Sequence, residues 1–324
     1  MSRRVVAVML ATTALLAATP GRGAAAQDND GALFLLVPVG ARAIGMGQAM
    51  AAAQPGSEAV WWNPAGLARI EEPEAAIHHS QTFVATGDAL SIVVPSERLG
   101  VLTASVNILD FGTQQITDPV TGEPFGDVTI RNIVYAATYA TTIGSRINAG
   151  VSYKLVQFRF DCNPSCGDIK SVASTSALDA GAQYDMHGVV PVTLGVVLRN
   201  FGPRLQVKDE EQADDLPTRV QIGVRYELPS LEAYLQDTRV FVAGDVIDGV
   251  AFNEPAASIG TDIVWNDRIH VRGGYLFENS AAAGASLGFG LVLEDLVLDI
   301  ARIFEDFSSS AGEAPTYLSL RVIF

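Results

Sequence analysis

Short segments in which apolar and polar residues alternate fill the chain from about Glu74 onward. The clearest is residues 218–228, where every second residue is apolar and the intervening ones are Arg219, Gln221, Gly223, Arg225 and Glu227. Residues 268–278, 282–294 and 315–324 repeat the pattern. Because successive side chains of a β-strand point to opposite faces, a period of two predicts strands with two chemically different faces.

Fourteen such segments can be delimited, which predicts an all-β fold. They are residues 74–84, 89–96, 100–112, 126–141, 146–160, 174–186, 192–202, 217–228, 239–249, 256–266, 268–278, 282–294, 296–306 and 315–324. Most have the length of tilted strands that cross a bilayer, about 9–11 residues.

The lengths of the connections also alternate along the chain. Those after the third, fifth, seventh, ninth and thirteenth segments are long, whereas those after the second, fourth, tenth and twelfth are tight. This asymmetry is typical of outer-membrane barrels, which have long extracellular loops and short periplasmic turns, and it places both ends of the barrel domain in the periplasm. Residues 229–238 depart from the rule because they are long for a turn.

A soluble β-sandwich would also alternate apolar and polar faces, but its loop lengths need not alternate. Mean hydropathy is positive, yet the mature chain contains no apolar run of about 18 residues that could form a transmembrane helix. The last residue, Phe324, ends an alternating segment and resembles the C-terminal signal that delivers bacterial outer-membrane barrels to the barrel-assembly machinery. The sequence therefore predicts a transmembrane antiparallel β-barrel of fourteen strands over residues 74–324, surrounded by outer-membrane lipid.

The N-terminus has the features of a secretory signal peptide. Arg3 and Arg4 precede an apolar run from Val5 to Ala18, and residues 24–26 are alanines that suit a cleavage site. Cleavage after residue 26 removes three basic residues and no acidic ones, so the mature net charge is 18 − 36 = −18. Such acidity argues against nucleic acid or anionic lipid headgroups as main partners.

Residues 27–73 do not alternate, and they contain a predicted turn of helix. Asn63 can cap a helix by accepting backbone N–H groups, and Pro64 suits the first helical position. We therefore expect a short helix from Pro64 to about Ile70, although Asn-Pro is also compatible with a plain turn. Residues 41–53, rich in small side chains, are expected to form a short helix or a compact irregular segment.

Two motifs in this segment resemble the start of the PorV/PorQ family, part of the wider FadL-like group of outer-membrane barrels. They are Gly40-Ala41-Arg42-Ala43-Ile44-Gly45-Met46-Gly47 and Trp62-Asn63-Pro64-Ala65-Gly66-Leu67. The resemblance covers residues 40–67 and implies a fourteen-stranded barrel whose segment 27–73 enters the lumen as a plug, with Asn63, Pro64 and Ala65 as part of it. Residues 54–58 replace the acidic pair common in the family, which leaves the shape of that linker open.

The width of a fourteen-stranded barrel agrees with a plug. About eight strands enclose an interior that side chains alone can fill, so a wider lumen is either open or occupied. The small residues Gly284, Ser286, Gly288 and Gly290 share one face of a predicted strand and would let a plug approach the wall closely. They could equally serve to ease curvature of the sheet.

Several residues are candidates for binding or bonding. Cys162 and Cys166 bracket three residues in a predicted loop, and an oxidising compartment favours a disulfide over free thiols or a metal site. The acidic run at residues 208–215 could attract calcium or a basic partner, or simply be a solvated loop. Ten charged or titratable residues are expected to face the lumen, either as bracing or as a selectivity lining: Lys154, Asp179, Asp185, Arg199, Arg219, Arg225, Glu227, His270, Arg272 and Glu278.

Catalysis and cofactors are not expected. The four histidines, His78, His79, His187 and His270, lie in no recognised hydrolase motif, and no metal site is indicated. The PorV/PorQ resemblance implies a role in protein secretion or surface attachment, with secreted cargo or type IX-like secretion proteins as partners. The FadL-like resemblance implies instead passive transport of hydrophobic small molecules such as fatty acids. A plain structural barrel is the third alternative.

Overall fold

A closed antiparallel barrel of fourteen strands encloses the N-terminal segment in the computed structural model. The structure describes residues 31–54, 56–118, 120–163, 171–186, 191–206, 213–229, 237–250, 252, 255–278, 284–304 and 314–324. The predicted signal peptide, Cys166, His187 and most of the acidic run lie outside these residues. The predicted fourteen-stranded barrel is confirmed.

Sixteen strands are found in the described part of the chain, and fourteen of them form the barrel. The barrel strands are β1 (Glu74–Gln81), β2 (Thr86–Ser96), β3 (Gly100–Thr117), β4 (Pro124–Ile143), β5 (Ile147–Asn163), β6 (Val172–Met186), β7 (Val192–Phe201), β10 (Arg219–Glu227), β11 (Thr238–Gly249), β12 (Ala256–Trp265), β13 (Ile269–Phe277), β14 (Gly284–Leu293), β15 (Leu296–Phe304) and β16 (Thr316–Ile323). A separate pair, β8 (Leu205–Gln206) and β9 (Ala213–Asp214), lies in the connection between β7 and β10. The barrel closes where β1 pairs with β16, from Glu74 opposite Ile323 to Gln81 opposite Thr316.

The outer face of the barrel is apolar. On β14, Leu287 is 58% exposed and Phe289 is 46% exposed, whereas Ser286, which precedes Leu287, is buried against the interior. Large exposed apolar side chains recur at alternate positions on the other strands, including β2, β4 and β15. An apolar exterior around a closed barrel matches lipid, because closure leaves no strand edge unpaired within the bilayer. The chain is therefore an outer-membrane barrel.

Strands β3, β4 and β5 extend further than the alternation predicted. The predicted loop at residues 113–125 is largely a hairpin, because β3 continues to Thr117 and β4 begins at Pro124. A register shift between Asp110 and Thr113 separates this extension from the rest of the strand pair, and Gly112 takes a φ of +70° there. Beyond the membrane both faces of a sheet meet water, so the apolar alternation that marks a strand is lost.

The N-terminal segment runs through the lumen from the outer mouth to the periplasmic rim. Its regular elements are a 3-10 helix at Leu33–Leu36, α1 (Ala41–Gly45), a 3-10 helix at Gly56–Glu58, α2 (Ala59–Trp62) and a 3-10 helix at Pro64–Leu67. Gly31 N donates to Asp215 O at 2.8 Å in the connection before β10, and Arg69 Nη2 reaches Ser145 O at 3.3 Å in the turn between β4 and β5. We refer to residues 31–73 as the plug.

The predicted short helix that begins at Pro64 is found as the 3-10 helix Pro64–Leu67, which is shorter than the predicted range to Ile70. Asn63 does cap this turn, since its Oδ1 accepts Ala65 N at 3.1 Å. The hydrogen bonds that follow, Ala68 N to Ala65 O and Ile70 N to Leu67 O, span three residues, so the backbone keeps the tighter 3-10 winding. No helix within the described residues is long and apolar enough to cross a membrane.

Candidate functional site

Glycines of the barrel wall let the plug backbone touch the sheet directly. Seven of them lie against plug atoms at positions where a Cβ would meet the plug: Gly150, Gly181, Gly195, Gly223, Gly260, Gly274 and Gly288. An added Cβ at Gly288 would lie 3.0 Å from Gly45 Cα, and one at Gly274 would overlap backbone atoms of Met46 and Gly47. Glycine alone permits such an approach. On β14, this packing holds for Gly288, whereas Gly290 lies against the side chains of Asp299 and Arg272.

Plug glycines are equally constrained. Gly47 has a φ of +59°, and an added Cβ would lie 2.5 Å from Tyr275 N and 2.7 Å from Ile259 O on the wall. Gly66 packs on Ala53 O within the plug, where an added Cβ would lie 2.8 Å away. Pro64, Ala65, Gly66 and Leu67 are all buried. The residues of the two motifs are thus used for close packing.

Side-chain amides and one carboxylate satisfy the backbone polar groups at Ala51. Asn63 Nδ2 donates to Ala51 O at 2.6 Å and Gln183 Nε2 donates to the same oxygen at 3.1 Å. Asp245 Oδ2 accepts Ala51 N at 2.7 Å and Gln221 Nε2 at 2.6 Å. Because buried backbone groups cost free energy when they lack partners, these contacts fix this part of the plug on β6, β10 and β11.

A buried network of charges holds the other side of the plug to the wall. Arg272 lies between two carboxylates, with Nη1 at 2.5 Å from Asp299 and Nε at 3.2 Å from Asp262. Asp262 is also 3.7 Å from Arg42 of α1, so the plug shares this carboxylate. Arg321 extends the network to Glu74, and Glu74 accepts Ser57 N of the plug at 2.9 Å. We call these residues the anchor network: Arg42, Glu74, Asp262, Arg272, Asp299 and Arg321.

Glu58 caps the first turn of α1 beside the anchor network. Its carboxylate accepts Ala43 N at 3.1 Å and Arg42 N at 3.3 Å, while Ser319 Oγ accepts Ala41 N at 2.9 Å. Gly40, with a φ of +96°, leaves the space that the carboxylate fills. Burial, and then the nearby Asp299 carboxylate, raise the pKa of this plug residue from 4.5 to about 7.

A cavity of about 470 Å³ opens at the extracellular mouth above the plug. Most of its lining is apolar and comes from the start of the plug and the outer ends of the strands: Leu33, Leu36, Val37, Pro38, Phe83, Val84, Ile247, Ala256, Leu276, Ile303, Pro315 and Tyr317. Its polar lining residues are Gln48, Thr82, Arg199, Arg219 and Glu278. We call this the outer cavity.

Two further cavities lie deeper in the lumen. A cavity of about 40 Å³ shares Gln48, Arg199 and residues 36–38 with the outer cavity and continues to Trp62 and Lys154. At the periplasmic end, a cavity of about 480 Å³ is lined by Arg69, Asp185 and other residues, none of which lines the outer cavity. The plug thus separates an apolar outer space from a polar inner one.

Six of the ten predicted lumen-facing residues fall into three groups. Arg219 and Glu278 line the outer cavity, and Glu278 is an exposed residue at the mouth instead of a residue deep in the lumen. Arg225 and Glu227 line the inner cavity, where Arg225 stacks 3.9 Å from the centre of the Phe241 ring. His270 lies 3.0 Å from Asp262, and Arg272 is buried at the centre of the anchor network.

Other predicted residues lie apart from the plug contacts. Cys162 is disulfide-bonded, and its predicted partner Cys166 is outside the described residues. Phe324 N donates to Pro73 O at 3.0 Å, which ties the last residue to the end of the plug at the periplasmic rim. Within the described residues, no group of histidine, cysteine or acidic residues is arranged to hold a metal ion.

Sequence reasoning missed Gln183, Gln221 and Asp245 as plug-binding residues, and also the partners of Arg272. One partner of Arg272, Asp262, could have been predicted from the tight turn at Asp267. A short turn fixes the register of its hairpin. Here it sets Asp262 opposite Arg272 and Gly260 opposite Gly274.

No protein-family profile matches this chain, and no curated protein matches it in sequence. Solved structures do match. The toluene transporter TodX of Pseudomonas putida superposes with a TM-score of 0.60 at 12% identity over 88% of this chain and 98% of that one. The monoaromatic hydrocarbon channel CymD gives 0.56 at 14% identity over 89% and 98%. A Pseudomonas aeruginosa FadL homologue gives 0.55 at 13% identity over 89% and 98%. At such identities the likeness concerns the fold, and the chain is a plugged outer-membrane barrel with the FadL-like fold.

Proposed function

We propose that this barrel is a non-enzymatic channel that takes up small hydrophobic compounds from outside the cell. The observation that carries the proposal is the outer cavity, whose lining is largely apolar and which lies directly above the plug. Its volume of about 470 Å³ falls within the range of small-molecule sites, roughly 300–1,000 Å³. The fold that the chain shares with channels described as toluene and hydrocarbon transporters supports the same function.

Two arginines suggest which hydrophobic compounds fit best. Arg199 on β7 and Arg219 on β10 lie directly opposite each other, and both line the outer cavity. Both guanidinium groups place positive charge in a largely apolar lining, so a ligand carboxylate would meet charge-assisted hydrogen-bond donors there. Arg199 contacts neutral groups, with Nη1 3.4 Å from Trp61 O and its guanidinium 5.2 Å from the centre of the Trp62 ring. We therefore favour amphipathic acids such as fatty acids over neutral hydrocarbons.

Binding to the purified barrel in lipid nanodiscs tests this proposal. A radiolabelled long-chain fatty acid and its methyl ester are compared on the wild type and on the double variant Arg199→Gln, Arg219→Gln. Hydrogen bonds to charged groups contribute about 1.5–3 kcal/mol, so the wild type should prefer the acid by roughly 10- to 150-fold. The double variant should lose this preference but still bind the ester. Arg302→Gln, an exposed position on β15, is the matched control. If the wild type binds neither the fatty acid nor its methyl ester, the proposal is overturned.

The secretion role implied by the PorV/PorQ resemblance rests on two motifs within residues 40–67, and the comparisons give it no support. Both motifs are used in packing the plug against the wall and within itself. Outer-membrane lipid and, during insertion, the barrel-assembly machinery remain the expected partners of the barrel.

A further inference from the structure

Two arginines face outward at the upper edge of the apolar band. Arg131 on β4 and Arg159 on β5 lie directly opposite each other in the strand register. Alternation places both on the outer face, because Asn132 and Val156 point into the barrel and are buried. Towards the periplasm the same face carries exposed apolar side chains, with Tyr135 on β4 and Leu155 on β5. The arginine pair therefore lies where the hydrocarbon of the outer leaflet gives way to headgroups.

The pair is only partly neutralised. Arg131 donates from Nε at 3.0 Å and from Nη2 at 2.6 Å to a single oxygen of Asp110. Its side chain is 52% exposed. Arg159 donates to the neutral Gln157 at 3.2 Å and 2.5 Å, and within the described residues it has no carboxylate partner. Two like charges opposite each other on adjacent strands are destabilising unless an anion lies between them.

We propose that the outer face of β4 and β5 binds the phosphate of an outer-leaflet glycolipid between Arg131 and Arg159. The guanidinium fork matches phosphate oxygens geometrically, and a bound phosphate would relieve the repulsion between the two side chains. The acyl chains would lie against the exposed apolar residues below, including Tyr135 and Leu155. A free phosphate ion would gain the charge contacts but not this apolar contact, so the geometry favours the lipid.

The acidity of the whole chain does not oppose this site. At physiological ionic strength charges are screened beyond about 8 Å, so the nearest groups decide the local potential. The carboxylates nearest in the register are Asp110 beside Arg131 and Asp161, two residues beyond Arg159. They flank the pair, which confines a bound phosphate to the space between the two guanidinium groups. The expectation that anionic headgroups are not partners, drawn from net charge, is revised for this patch.

Native mass spectrometry of the intact barrel in a neutral detergent tests the proposal. The probe is bisphosphorylated lipid A, compared with its fully dephosphorylated form, and the variant is Arg131→Gln with Arg159→Gln. The wild type should bind one lipid A at least tenfold more tightly than the double variant does, and the dephosphorylated lipid should bind both proteins equally weakly. Arg302→Gln is again the control, because its cross-strand neighbours Leu287 and Thr316 are uncharged, and it should bind as the wild type does.

Three outcomes would overturn the proposal. Equal binding of lipid A to wild type and double variant would show that the pair does not hold the phosphate. Binding of the dephosphorylated lipid to the wild type as tightly as lipid A would show that only the acyl chains matter. Displacement of lipid A by an equal concentration of inorganic phosphate would identify a site for the free ion. The thermal unfolding midpoint of each variant is measured alongside, and it should match the wild type because the substituted side chains are on the surface.

Discussion

Replacing Gly274 with alanine should displace the plug from its contacts with the barrel wall. An added Cβ there would overlap the backbone N of Gly47 and the carbonyl carbon of Met46, and neither is a side chain that could rotate away. Gly260, opposite Gly274 on β12, also lies close to Met46, so the plug backbone contacts two adjacent strands here. Overpacking of this kind costs about 1–3 kcal/mol. If that cost falls on docking of the plug, the undocked population rises roughly 5- to 150-fold.

The neighbouring glycine supplies a matched control. Gly273 faces the lipid, and an added Cβ there would meet only Leu287 Cδ2 at 3.8 Å, an ordinary contact. Conductance in planar bilayers should therefore rise for Gly274→Ala and stay at the wild-type level for Gly273→Ala. Thermal unfolding should show a lower midpoint for the first variant alone. Equal conductance and equal midpoints for the two variants would refute the argument that backbone contact seats the plug.

Three further substitutions test the plug contacts. Asn63→Ala removes the amide bonded to Ala51 O, and loss of this buried hydrogen bond should weaken docking of the plug by about 1–3 kcal/mol. Leakage of small polar solutes from liposomes should therefore rise, and unchanged leakage would contradict this. Arg272→Met leaves two buried carboxylates with fewer partners and should lower the unfolding free energy by about 3–5 kcal/mol, whereas an unchanged denaturation midpoint would argue against the anchor network. Because the pKa of Glu58 is raised from 4.5 to about 7, its protonation stabilises the folded state fully below pH 4.5, and this stability is lost as pH rises through 7. Glu58→Gln should flatten that decline in midpoint, and an unaltered pH profile would exclude Glu58 as its source.

The barrel was predictable from sequence because one of its faces meets lipid. The predicted strand at residues 217–228 is found as Arg219–Glu227, and that at 256–266 as Ala256–Trp265. Lipid on one side and a polar or small-residue interior on the other enforce the alternation that identifies a strand. Where β3 and β4 rise above the membrane this constraint ends, and the prediction stopped at residue 112 although β3 continues to Thr117.

The plug was less predictable, since its contacts join residues far apart in the chain. The motif residues Gly47 and Asn63 could be identified from the family resemblance, and the structure gives each a packing or hydrogen-bonding role. The wall residues that bind the plug, such as Gln183 and Asp245, are single polar side chains on the inner face of the barrel. Such a side chain could equally contact water, another wall residue or the plug, and pattern alone does not distinguish these cases.

Uptake by whole cells tests the central claim most directly. Cells that lack the barrel are complemented with the wild type or with the Arg199→Gln, Arg219→Gln variant, and accumulation of a radiolabelled long-chain fatty acid is followed over time. The account predicts faster, saturable uptake with the wild type and a clear loss of that gain with the variant. Uptake that is the same with and without the barrel, accompanied by a change in the proteins secreted to the medium, would contradict the account and favour the secretion role.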